Sequence, residues 1–283
     1  MTEDAPDRTV RIDLEYDGAG FEGWQRQPGA RTVQQVVEDA LERLLQAKTA
    51  VAAAGRTDAG VHAHRMPTSL RTRSTLPAAT ILRALDAILP EDVGVLAVAD
   101  APGVEARRRD ARWKWYRYTW LRSRLRRVHE RRTSWRVGTQ LDLDAMRRGA
   151  EALRGRHDFA CLQSSGSPRR STVRTLGGLR LLEEGDFLHL DAVADGFLYG
   201  MVRALAGTLT EVGRGRFRAD DLPALLRGRD RRAAGPAAPA HGLALVAVGY
   251  GGDAAPAFVD PSLGTDLESA RTWRRESNPP TEV

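Results

Sequence analysis

Apolar and polar residues alternate from Thr9 to Tyr16: Val10, Ile12, Leu14 and Tyr16 point one way, and Thr9, Arg11, Asp13 and Glu15 the other. Alternation at period two predicts a half-solvated antiparallel strand. After Thr32 the period lengthens to that of a helix. Val33, Val36, Val37, Ala40, Leu41 and Leu44 form its apolar stripe, Thr32 and Gln35 stand in capping-box spacing, and the pattern ends near Ala47. Residues 48–54 then suit a strand, 55–63 a loop of small residues, 78–88 a helix stopped by Pro90, and 93–99 another strand. Asp100-Ala101-Pro102-Gly103 breaks the pattern and predicts a domain boundary. The second half repeats the first in outline: strand 112–121, helix 142–153, strands 173–182 and 187–194, helices 199–212 and 219–227, and a last strand 243–248. An α+β chain of two similar halves, 1–103 and 104–250, is expected. Residues 251–283 are polar, rich in proline and acid, and without periodicity, which predicts a mobile tail.

Behind the first strand, YDGAGFEGWQ carries Gly18, Gly20 and Gly23 in the G-x-G-x-x-G spacing of a dinucleotide-binding turn. That mechanism needs a parallel strand buried on both faces and a helix opening on the glycines. Here the strand alternates, and Pro28 and Gly29 would stop a helix begun at Gly20. The glycines therefore predict a flexible or tightly turning loop, not a nicotinamide or flavin site.

With 283 residues and 42% hydrophobic content the chain can bury a substantial core. No apolar run has the length of a membrane span, and MTEDAPDRTV lacks the pattern of a signal peptide, so a cytoplasmic protein is expected. The single Cys161 offers no disulfide, and no His/Asp/Glu cluster offers metal ligands, so no metal is expected. Lys48 and Lys114 are the only lysines among 43 basic residues. From Arg107 to Arg136 a dense basic run is opposed by only Asp110 and Glu130. Such a run is commonly a solvated face. In this one Trp113, Trp115, Tyr116, Tyr118, Trp120 and Trp135 are interleaved, which suits stacking on single-stranded or looped RNA.

Candidate chemistry lies in GRTDAGVHA, residues 55–63, where Asp58 and Arg56 stand among small residues. Aspartate in such a stretch is commonly a turn-former that bonds its own backbone. The other reading is a nucleophile or base, held ionised by a nearby cation and reached by a large substrate. Spacing leaves both readings open. The motif resembles the catalytic segment of the tRNA pseudouridine synthase A (TruA-type) family. YDGAGFEGWQRQPGARTVQQVVEDAL, WKWYRY, GRHDFACL, STVRTL, FLYGMVRALAGTLTEVGRGR and APAHGLALVAVGY resemble further blocks of that family, in its order, over residues 10–250.

The resemblance implies a pseudouridine synthase fold, with two ferredoxin-like (RRM-like) halves and antiparallel sheets around a central RNA-binding cleft. It also implies a homodimer that isomerises uridine to pseudouridine at positions 38, 39 and 40 in the tRNA anticodon arm, with no cofactor and no metal. Matched by position, Asp58 is the nucleophile. Tyr116 stacks on the flipped uracil, Arg203 pairs with the aspartate, Arg56 holds the target nucleotide flipped out, and Leu243 lines the uracil slot. The glycine loop would lie near the RNA backbone, with Arg26 and Gln27 on phosphates, and Arg107, Arg108, Arg112 and Lys114 as further RNA contacts. His62 and His157 read as structural. Val104-Glu105-Ala106-Arg107-Arg108 departs from the family's usual F-H-A-R, and His64 stands where a glutamine is common. That altered block is the one support for a rival reading, a catalytically weak tRNA-binding or tRNA-folding protein on the same scaffold.

Overall fold

The computed structural model describes residues 7–102, 106–164, 166, 171–256 and 258–259. The chain forms two compact units, one of residues 1–111 with 244–248, the other of residues 112–243 with 249–283.

In the first unit β1 (Arg8–Tyr16) lies between β3 (His62–Thr72) and β4 (Val93–Asp100), antiparallel to both. Its apolar face is the one expected: Val10, Ile12 and Leu14 are fully buried. Helix α1 (Val33–Leu45) begins on Thr32, whose hydroxyl accepts from the Gln35 amide, and ends at Gln46 in the left-handed conformation. Helix α2 (Ala78–Ile88) stops one residue before Leu89-Pro90 and packs against α1 and β4.

Two expectations fail around residues 48–72. The strand placed at 48–54 shrinks to β2 (Ala52–Ala53), and the longest strand of this unit, β3, begins inside the predicted loop. Pro67 and a polar sequence hid β3. A proline contributes no ladder donor and ordinarily demotes a strand. Here its carbonyl still serves, accepting from the Ala54 amide at 3.0 Å. The final strand, β10 (Leu243–Tyr250), also departs from simple succession: Ala244 and Leu245 pair in parallel with His62 and Ala63 of the first unit.

In the second unit β5 (Ala111–Arg122) pairs antiparallel with β9 (Phe187–Ala194), β9 with β8 (Val173–Glu184), and β8 with β7 (Gly155–Asp158); β6 (Trp135–Val137) runs parallel to β5. Neither β6 nor β7 was foreseen, being too short to show periodicity. Helix α3 (Leu143–Ala152) is capped by Asp142. Helix α4 (Met201–Gly213) is buried at every position except Arg203, and α5 (Leu222–Gly228) follows. An apolar helix without a solvent face belongs at the centre of a core.

The rings of the basic run are mainly core side chains. Lys114, Tyr116, Tyr118 and Trp120 form a buried face of β5, with Tyr118 and Trp120 fully so. Trp120 donates to Thr210 of α4 at 3.0 Å, and Trp113 donates to the Asp253 carbonyl at 3.0 Å. On the opposite face Asp191, itself 0% exposed, accepts from Trp115, Arg117 and Arg180. Burial alone would push the Asp191 carboxyl up, but the hydrogen bonds and charge of Arg117, with Trp115 and Arg180, hold it below the usual carboxylate range. Stacking on RNA is therefore not the general purpose of these rings.

Residues 251–256, 258 and 259 fell within the predicted tail, yet Ala254, Ala255 and Val259 are buried and Phe258 packs edge-on against Trp115 under the Arg180 guanidinium. The rest of the expected tail lies outside the described residues, as do Val104 and Glu105 of the altered block.

Candidate active site

Asp58 stands in the first unit, half-buried, in the irregular stretch that joins β2 to β3. The chain turns here, with the main-chain carbonyl of Asp58 accepting from the Val61 amide at 3.1 Å. The surrounding segment is laid directly on the glycine loop. Trp24 donates its amide to the Thr57 carbonyl at 3.0 Å, Gly60 donates to the Phe21 carbonyl at 3.2 Å, and Gly18 donates to Nδ1 of His62 at 3.1 Å. The Tyr16 and Thr57 hydroxyls share a buried hydrogen bond of 2.9 Å.

These contacts explain two of the three glycines. A Cβ at Gly18 would lie 2.1 Å from the Val61 carbonyl oxygen. At Gly23, where φ is +93°, it would lie 2.7 Å from the Thr57 carbonyl oxygen and 3.2 Å from the Asp58 carbonyl carbon. The loop is glycine-rich because backbone packs on backbone beside Asp58. Its first turn is a short 3-10 helix, Gly18–Gly20, capped by Asp17. Sequence reasoning saw the spacing but not this partner, since the 57–62 segment is some forty positions away.

Burial alternates along the segment: Gly55 and Thr57 are buried, Arg56 and Ala59 are exposed. Arg56 thus points to solvent. Arg26 is engaged by helix α1, 3.4 Å from Glu38 and paired with Asp39, and Gln27 donates to the Glu22 carbonyl at 3.3 Å. Both are exposed.

The other candidates belong to the second unit, apart from Arg107 and Arg108. Tyr116, 8% exposed, sits opposite Ala192 on β9, its ring edge-on to Phe197 with centroids 5.1 Å apart. Arg203 is locked to the segment before β10: its Nε donates to the Ala238 carbonyl at 2.8 Å, and the Ala238 amide donates to the Arg203 carbonyl at 2.9 Å. That places Arg203 and the approach to Leu243, which is 5% exposed, on one scaffold. Tyr118 belongs to it as well. Its hydroxyl donates to the Pro239 carbonyl at 3.0 Å, and burial pushes its phenol far above the ordinary range, only partly offset by Arg203. Phe197 and residues 238–239 lie inside the FLYG and APAHG blocks, but nothing in the sequence pattern marked them as partners of Tyr116, Arg203 and Tyr118.

Arg108 and Arg112 are exposed and Arg107 half-buried. Lys114, expected on RNA, is 7% exposed on the inner face of β5. Elsewhere in the run Arg117, Arg122 and Arg127 pair with Asp191, Glu183 and Asp186. Among the described residues no cluster of three or more His, Cys, Asp and Glu side chains could hold a metal. No helix there is long and apolar enough to cross a membrane.

The profile of the tRNA pseudouridine synthase family matches residues 14–109 and 150–251. The chain belongs to that family. A protein of Pelobacter propionicus named tRNA pseudouridine synthase A is 42% identical over 243 residues, covering 86% of this chain and 100% of its own length. Proteins of the same name from Geobacter sp. and Moorella thermoacetica are 43% and 45% identical over 244 residues, covering 86% and 85% of this chain and 99% of their own lengths. In this pseudouridine synthase the matched segments include the glycine loop, the Asp58 segment, Arg203 and Leu243.

Proposed function

We propose that this chain isomerises uridine to pseudouridine at positions 38, 39 and 40 in the anticodon stem-loop of tRNA, acting as a cytoplasmic homodimer without metal or cofactor. One observation carries the reading: the chain matches nearly the whole length of relatives named tRNA pseudouridine synthase A. The segment around Asp58 falls inside the family match.

In this reading Asp58 is the nucleophile. Attack on the ribose C1′, attack on the uracil C6, and elimination to a glycal are all open to a carboxylate. Each breaks the bond between the ribose C1′ and N1 of the base, lets the base rotate, rejoins C1′ to C5, and ends with loss of the C5 proton. Tyr116 and Leu243 receive the uracil, while Arg203 and Arg56 supply positive charge. A segment bound along its backbone to the glycine loop suits a nucleophile, which gains most from a fixed position. Exposed arginines such as Arg108 and Arg112 add phosphate contacts.

The test is Asp58→Asn, which keeps shape and removes only the ionised carboxylate. It should bind tRNA nearly as well as wild type and release no tritium from C5-labelled uridine in tRNA. Substantial release would refute the nucleophile assignment. Inactivity of the wild type with tight tRNA binding would favour a binding or folding protein on this scaffold.

A further inference from the structure

Thr57 immediately precedes the proposed nucleophile and is held at two points. Its carbonyl accepts from the Trp24 amide at 3.0 Å, and its hydroxyl bonds the Tyr16 phenol at 2.9 Å. Side chain and main chain are thereby tied to different residues, so the peptide entering Asp58 can neither roll nor slide without breaking one of them. Both hydroxyls are buried, Thr57 at 7% and Tyr16 at 5% exposed, so water is a poor substitute for either partner.

Tyr16 is itself fixed. It closes β1 opposite Ala63, just past an irregularity of register between Leu14 and Tyr16, and its ring lies against Trp24 with centroids 6.2 Å apart. An irregularity of that kind re-aims the side chain that follows it. The buried Tyr16 hydroxyl needs a partner, and the one it takes belongs to the residue joined by a peptide to Asp58. We propose that Tyr16 and Thr57 form a positioning pair that sets the carboxylate of Asp58 through the adjoining peptide. The proposal rests on the reading of Asp58 as nucleophile and adds residues that touch neither uracil nor ribose.

The experiment compares Tyr16→Phe, Thr57→Val, Thr57→Ser and the Tyr16→Phe/Thr57→Val double variant with wild type and Asp58→Asn. Tritium release from C5-labelled tRNA is measured at saturating tRNA, with tRNA affinity and thermal midpoint alongside. Tyr16→Phe and Thr57→Val should each lower kcat by roughly 10- to 100-fold, the scale of an ångström-sized misplacement. KM for tRNA should stay within about twofold, because no RNA contact is removed. Thr57→Ser keeps the hydroxyl and should recover most of the rate. The double variant should be little worse than either single, since each already breaks the same bond. Wild-type kcat in Tyr16→Phe, or a rate for Thr57→Ser as low as for Thr57→Val, would overturn the pair while leaving the function intact. A raised KM with unchanged kcat would overturn it too. If instead wild type were inactive or Asp58→Asn fully active, the functional reading would fall and the pair with it.

Discussion

Gly23→Ala puts a single methyl group where the glycine loop meets the Asp58 segment. The cost has two parts. A Cβ residue at a φ of +93° loses roughly 1–2 kcal/mol to a backbone region that L residues avoid. The new carbon would also lie 2.7 Å from the Thr57 carbonyl oxygen and 3.2 Å from both the Ala59 nitrogen and the Asp58 carbonyl carbon. All three are backbone atoms and cannot swing aside as a side chain would. The segments must part by some tenths of an ångström, which stretches the Trp24-to-Thr57 hydrogen bond, worth about 1 kcal/mol. Together these predict a loss of about 2–3 kcal/mol in unfolding free energy. A fall in turnover larger than any change in tRNA affinity should accompany it. Gly29→Ala isolates the first part, because Gly29 also has positive φ, +72°, but nothing lies within 4 Å of where its methyl group would stand. It should lose about 1–2 kcal/mol and keep wild-type turnover. Urea unfolding gives the stabilities, and tritium release at a temperature where all three proteins are folded gives the rates. Equal stability and equal turnover in the two variants would refute the idea that the glycine is required by close approach to the Asp58 segment.

Asp191→Ala should destabilise by about 2–3 kcal/mol, less than a fully buried pair would lose, because Arg117 and Arg180 keep access to water. Because the Asp191 carboxyl titrates below its ordinary value in the folded chain, its contribution is present above about pH 4 and disappears as pH falls through the lower folded value. Urea unfolding followed from pH 7 to pH 2 should therefore show wild type and Asp191→Ala converging at the acid end. Tyr118→Phe removes the donor to the Pro239 carbonyl and should lose about 1 kcal/mol of stability with turnover preserved, whereas Tyr116→Phe should lose turnover far more than stability; thermal midpoints and tritium release separate the two. Arg112→Ala, at an exposed residue, should flatten the dependence of log affinity for tRNA on log salt by roughly one unit or less. Arg117→Ala, whose guanidinium is committed to Asp191, should leave that slope alone and lower the thermal midpoint.

The alternation of Thr9–Tyr16, the capped stripe from Thr32, and the Pro90 stop were sufficient by themselves to place β1, α1 and α2, because their signals are local. The blocks around Asp58, Tyr116, Arg203 and Leu243 likewise carried the resemblance to the family, and those around Asp58, Arg203 and Leu243 fall inside the family match. Long-range pairing was beyond reach. β3 was hidden by Pro67 and polar residues because a strand is defined by its partners, here β1, β2 and β10, as much as by its own pattern. The run from Arg107 to Arg136, with its interleaved rings, suited an RNA surface, but only tertiary packing could separate an exposed Arg112 from a buried Lys114, or turn Trp120 toward Thr210 and Arg117 onto Asp191. The same holds for the glycines. Their spacing was plain in the sequence, while the reason for Gly18 and Gly23, a backbone held against the Val61 and Thr57 carbonyls, exists only once two distant segments have met.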